Sequence, residues 1–252
     1  MNSILHSSTI KLLLCSTLLL LVVESVQAQM ERKRSLDKLP DPELFLSTSL
    51  VSAQTVSIVP KGEIQSAISH SFGHIRSGWG DLFGLDNNAS VHLGLDFGIT
   101  ENLSLGIGRT SVDDVFDVRL KWIPFRQNSS NSRPLSVGLY LNTALETLEE
   151  RRFDYSFTER LSYHSSILVA RQFGSKITLQ ISPSVTHFNT LIAQNKIPLQ
   201  HTIFSALFLG RLKLNERNSL SFETVPILSD SKAIYHWAFS YEIETGGHVF
   251  QL

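Results

Sequence analysis

Charged and histidine side chains at alternate positions are the residues of this sequence best placed to do chemistry. His92 and Asp96 lie in SVHLGLDFGI, Asp117, Arg119 and Lys121 in FDVRLKW, and His164 in LSYHSSI between Ser162 and Ser166. In extended chain a spacing of two puts each set on one side of the backbone. Imidazoles on neighbouring strands have the donors to bind a cation. A histidine beside two serines, near a loop rich in Glu and Arg, has the groups for a nucleophile–base pair, as a lipid-modifying enzyme would need. The same spacing suits polar residues lining the lumen of a barrel, and the flanking sequence favours that use for all six. No serine-hydrolase elbow is present, and the glycines of Gly94–Gly108 sit inside alternating stretches that open no helix, so they are expected to let strands curve and to leave lumen space. We expect no catalytic residues, no metal site and no cofactor, and hence a protein that is not an enzyme.

The elements that must carry these residues are strands. Val91, Leu93, Leu95, Phe97 and Ile99 share one face, with His92, Gly94, Asp96 and Gly98 on the other, and the TEN turn at Thr100–Asn102 leads into Leu103, Leu105 and Ile107. The same period of two recurs to the C-terminus and predicts about eleven strands, many near the ~9–11 residues that cross a bilayer at a tilt. Segment 201–212 is apolar on both faces, so its orientation is open. Links alternate between short (100–102, 172–175, 213–217, 244–246) and longer, with 124–134 as the exception, as in barrels with short periplasmic turns and long external loops. Phe72, Phe97, Trp122, Phe125, Phe173, Phe188 and Trp237 near strand ends suit interfacial girdles. The expected fold is all-β: an antiparallel up-and-down transmembrane β-barrel of about 11–12 strands. Asp96, Asp117, Arg119 and Lys121 would tune what enters a lumen lined also by His92 and His164. A soluble periplasmic lipid-binding barrel is the alternative that needs no membrane.

Residues 1–28 have the features of a cleaved secretory signal: Lys11, an apolar run from Leu12 to Val23, and small residues ending at Ala28. Residues 29–44 form a charged lead-in with two prolines, and 45–252 the barrel domain. The only cysteine, Cys15, lies in the signal, so no disulfide is available after export. Lys and Arg total 22 against 23 Asp and Glu, a balance that argues against nucleic acid as a partner.

Particular stretches resemble a known family. KGEIQSAISHSFGHI (61–75), LFGLDNNASVHLGLDFGITENLSLGIGR (82–109), ILVARQFGSKITLQISPSVTHFN (167–189) and IETGGHVFQL (243–252) are similar to DUF5777, a family of predicted outer-membrane β-barrel proteins of Bacteroidota-type bacteria. The resemblance implies an outer-membrane address, contact with outer-membrane lipid, and an envelope or respiratory context with periplasmic partners. It carries over no catalytic residues. Where relatives have His-Arg-Phe-Gly, this chain has His70-Ser71-Phe72-Gly73. Relatives continue beyond GGHVFQL, and an odd strand count leaves an edge in lipid, so we expect the sequence to lack part of its closing strand or strands. The expected function is small-solute passage or binding, or envelope scaffolding. Whether residues 45–59 add a strand, a plug or a periplasmic arm is open.

Overall fold

The computed structural model describes residues 42–72, 78–86, 89–130, 132–148, 154–191, 200–229 and 236–252. The expected signal, most of the lead-in and His74 lie outside these residues. Eleven strands follow one another as β1 (Ile64–Ser71), β2 (Ser90–Thr100), β3 (Leu103–Thr110), β4 (Val115–Phe125), β5 (Ser136–Glu146), β6 (Leu161–Phe173), β7 (Ile177–Phe188), β8 (Thr202–Lys213), β9 (Asn218–Val225), β10 (His236–Glu244) and β11 (Val249–Gln251). Each pairs antiparallel with the next, in unbroken chain order. β6 has 13 residues and β7 and β8 have 12 each, enough to cross a bilayer at a tilt. Among the described residues no pairing joins β1 to β11, so the sheet is open between them.

The strand ends sort into two rims. At one, tight hairpins turn at Gly174 (φ 60°) and Gly246 (φ 69°), in the left-handed region that glycine enters without strain. The 126–135 link belongs to this rim despite its length. Gln127 ties it to the wall: its backbone N–H donates to Ser136 Oγ at 2.9 Å, its Nε2 donates to the Gln172 carbonyl at 3.0 Å, and its Oε1 accepts from the Gln172 N–H at 2.7 Å. The longer loops lie at the other rim, where a short 3-10 segment (Thr158–Arg160) leads into β6.

The wall is inverted relative to a water-soluble fold. Along β7, Ile181 is 43 % exposed while the adjacent Ser182 is fully buried. Leu93, Ile107, Val118, Trp122, Ile167, Phe208 and Phe239 are exposed on the outside in the same way, and serines, glutamines and charged residues are buried inside. Monomeric soluble proteins rarely expose so large an apolar belt, whereas lipid covers one.

A hairpin made by residues 44–59 fills much of the interior. Its limbs are joined by an isolated bridge between Ser49 and Gln54, by Leu50 N–H to Ala53 O (2.9 Å) and by Thr55 N–H to Thr48 O (3.0 Å). Hydroxyls stitch it lower down: Thr55 Oγ1 donates to Ser47 O at 2.7 Å and Ser57 Oγ to Phe45 O at 2.9 Å. Of the three possibilities for 45–59, the structure shows a plug. Leu44, Phe45, Leu50, Ala53 and Val56 pack on an apolar patch of the inner wall made by Ile123, Leu168, Ala170, Leu207 and Leu209 with Tyr140. This patch resolves the double-sided segment 201–212. Phe204, Phe208 and Leu212 are exposed on the outside, while Leu207 and Leu209 face inward against the hairpin.

Both limbs of the hairpin enter at the short-turn rim. The Leu44 carbonyl lies by Arg211, two residues from the end of β8. At the other limb, Gly62 N–H donates to Gly98 O at 2.8 Å near the end of β2, where a Cβ on Gly98 would collide with the Pro60 carbonyl. The tip reaches Glu223, two residues from the long-loop end of β9.

Candidate functional site: the plugged lumen and its vestibule

The hairpin has few internal backbone bonds, so its remaining polar groups need partners from the wall. The wall supplies them by charge type. Lys121 Nζ donates to Thr48 O at 2.6 Å and Ser57 O at 3.1 Å, bridging the two limbs. Arg211 donates to the Glu43 and Leu44 carbonyls, both at 3.2 Å. At the tip the polarity reverses. The Glu223 carboxylate accepts from Ser52 N–H (3.0 Å), Ala53 N–H (3.1 Å) and Ser52 Oγ (2.5 Å). Gln180 serves both polarities, accepting from Val56 N–H at 2.9 Å and donating to Gln54 O at 2.8 Å, and Gln251 donates to Ser49 O at 3.0 Å. Cations meet carbonyls and a carboxylate meets N–H groups, the charge-assisted pairing that makes such bonds strong.

The six residues singled out from the sequence divide between two regions. His92, Asp96, Asp117 and Arg119 form one inward-facing network on β2 and β4. Arg119 NH1 donates to Asp117 Oδ2 at 2.5 Å, its Nε to Asp96 Oδ1 at 3.2 Å and its NH2 to the Ile107 carbonyl at 2.9 Å. His92 Nε2 lies 2.8 Å from Asp117 Oδ1. Asp117, Arg119 and Lys121 are buried, Lys121 beneath the hairpin it holds. The network fits because β2 and β3 have glycines opposite it. A Cβ on Gly106 would fall on Asp96 Oδ1, and one on Gly108 would lie 2.6 Å from both Arg119 NH1 and Asp117 Oδ1. These are the glycines whose run suggested lumen space.

His164 stands apart from the other five. It faces a cavity of about 440 Å³ between the hairpin tip and the inner surfaces of β5–β9. Strand pairing arranges the lining in rows. Asn142, His164 and Thr186 lie side by side toward the long-loop rim, Tyr140, Ser166 and Ser205 lie one step deeper, and Leu168, Leu207 and Val225 make the floor with Ser52–Gln54. His164 Nδ1 is 2.8 Å from Thr186 Oγ1, and Ser166 Oγ bonds the Pro183 carbonyl at 3.4 Å. Phe188 also lines this cavity, which corrects its expected place in an outer aromatic girdle. It falls in register with the inward Thr186, so its ring faces the lumen.

Sequence reasoning missed Gln180, Arg211, Glu223 and His236. The signal was available: Arg211 and Glu223 hold inward positions in GRLK and SFET. Without the hairpin, however, nothing in the sequence distinguished an anchor from an ordinary lumen residue. Ser52, His236 and Glu223 lie together, with His236 Nε2 2.9 Å from Glu223 Oε1 and 3.3 Å from Ser52 Oγ. Both groups converge on one carboxylate, and the Ser52 proton is committed to Glu223, so this is a clamp on the hairpin tip.

An eleven-stranded meander, apolar outside, polar inside and wrapped around its own N-terminal hairpin, defines a membrane-bound β-barrel. The chain belongs to the DUF5777 family, described as a membrane bound beta barrel domain, whose model matches residues 45–252. The match begins at Phe45 and so covers the hairpin as well as the wall. No curated protein and no solved structure matches the chain.

Proposed function

We propose that the protein is an outer-membrane β-barrel, exported by residues 1–28, that binds a small solute from its long-loop side and passes it only when the hairpin shifts. The observation that carries this reading is the hairpin itself: wall residues of both charge types hold 44–59 across the lumen, and a cavity remains on one side of it. A permanent stopper would need only apolar packing. Polar anchors can exchange their bonds for water, so a hydrated, displaced hairpin remains accessible. The role of the charged residues changes accordingly. Lys121 holds the plug, and Asp117 and Arg119 are taken up by each other, Asp96 and His92 rather than left to meet the solute.

The reading is one of binding and passage, not catalysis. His164 is engaged by Thr186 and Ser166 by a carbonyl, and neither is turned toward the other. The partners are the lipid against the outer apolar belt and envelope proteins at the short-turn rim, where the chain enters the hairpin.

Planar-bilayer recording on the detergent-extracted protein tests passage. The wild type should be closed for most of the record, and Glu223→Gln with Lys121→Met should open it. Continuous conductance in the wild type, or a folded double variant that never conducts, overturns the gated-passage reading. Recovery from the soluble fraction of cells without detergent overturns the membrane address.

A further inference from the structure

We propose that the vestibule is a binding site for an uncharged amphipathic solute: an apolar ring or short chain carrying hydroxyl or carbonyl groups. This rests on the binding reading above and gives it a ligand class.

Three observations carry it. First, among the described residues no Asp, Glu, Lys or Arg side chain lines the cavity. The nearby charges are already engaged: Glu223 by Ser52, Ala53 and His236, Lys121 by Thr48 and Ser57, and Arg211 by Glu43, Leu44 and Ser219. A charged ligand would lose its hydration inside a wall jacketed by lipid and find no counter-ion, which is costly. Second, polarity is layered. The outer row of Asn142, His164 and Thr186 offers amide, imidazole and hydroxyl groups, while the floor of Leu168, Leu207 and Val225 is apolar. A ligand with a polar end and an apolar end has one favourable orientation, apolar end inward. His164 bonds Thr186 through Nδ1, and among the described residues no protein hydrogen bond fixes its Nε2, leaving that nitrogen for the solute. Third, about 440 Å³ is within the range of small-molecule sites, and five strands and the hairpin tip contribute to the lining.

The test uses the whole protein in nanodiscs and a matched set of probes: 4-ethylphenol, 4-hydroxyphenylacetate and tyramine, which share a ring and differ in charge at pH 7. Binding is read by saturation-transfer NMR and titration calorimetry. The neutral probe should bind at least tenfold more tightly than either ion. Asn142→Trp, which fills the cavity from its mouth at a side chain whose hydrogen bond among the described residues goes to Tyr140 and not to the hairpin, should abolish binding, and His164→Ala should weaken it several-fold. A heat-shifted gel band confirms that each variant is folded. Equal or tighter binding of an ion, or neutral-probe binding that survives a folded Asn142→Trp, overturns the proposal, as does absence of binding by the neutral probe. The outcomes separate from those for passage. Failed probe binding with a conducting loosened hairpin removes this site alone, whereas probe binding without conductance removes passage alone.

Discussion

In the half of the lumen walled by β2–β4, Arg119 is surrounded by Asp96, Asp117, His92 and a backbone carbonyl, and glycines on the neighbouring strands let the cluster lie close against the backbone. Across the hairpin, the long-loop end of β5–β9 turns Asn142, His164, Ser166, Thr186 and Ser205 toward an open space, while Gln180, Arg211 and Glu223 on the same strands are taken up by the hairpin. Both halves place polar groups inside a lipid-facing wall. The first satisfies them with one another and becomes rigid. The second uses small neutral groups that a solute or water can satisfy. Charge in this barrel marks where the structure is held, and neutrality marks where something can enter.

If that contrast holds, the largest stability losses belong to the charged half. Arg119→Leu leaves Asp117 buried and Asp96 without its cationic partner. Breaking a buried ion pair from one side typically costs about 3–5 kcal/mol, so the heat-shifted band of the folded barrel should be lost or convert at a much lower temperature. A variant that keeps the wild-type conversion temperature would show that the network is solvated and the halves alike.

Glu223→Gln sharpens the comparison at the point where hairpin and wall meet. The amide nitrogen would face N–H groups of Ser52 and Ala53 that now meet a carboxylate. Losing hydrogen bonds to a charged acceptor should cost about 2 kcal/mol, expressed as hairpin release with the wall intact. Protection of the Ser52 and Ala53 amides from hydrogen exchange should fall while that of β6 and β7 is kept. A uniform loss would mean that the hairpin and wall unfold as one unit.

The wall was legible in the sequence because its signal is local. A period of two, turn residues and loop lengths place β2–β7 within a few residues, and inward parity identified Asp96, Asp117, Arg119 and His164. The hairpin was not legible for the opposite reason. FLSTSLVSAQTVSIV has no regular period, and its conformation is set by Lys121, Gln180, Arg211 and Glu223, between 64 and 171 residues away along the chain at the bonds they make. Its one trace lay in the wall, where Leu207 and Leu209 made β8 apolar on both faces. Phe188 shows the same limit. An aromatic near a strand end suits either face, and the position of Thr186 beside it carries the answer.

Smaller effects probe the packing that separates the halves. Gly106→Ala puts a methyl onto Asp96 Oδ1 and 2.8 Å from Arg119 Nε. Overpacking of this kind costs about 1–3 kcal/mol, here toward the lower end because side-chain atoms can give way. Gly210→Ala, on a wall strand of the other half, would meet only Leu179 Cδ2 at an ordinary 3.6 Å. It should leave the conversion temperature unchanged or slightly raised. Equal responses would remove the claim that β3 glycines exist to seat the charged cluster.

Among the side chains of the lumen, the smallest expected loss of stability comes from the one with the most chemistry. His164→Ala removes one neutral hydrogen bond to Thr186 at the edge of a cavity roomy enough for water to replace it. The net loss should stay below about 1 kcal/mol, with no change in the heat-shifted band. Against Arg119→Leu this is the sharpest form of the comparison, since both side chains face the same lumen from long central strands. A loss as large as that of Arg119 would make His164 a structural anchor and the vestibule part of the sealed interior. A small loss means that β6 folds without this imidazole, leaving it free to meet a ligand.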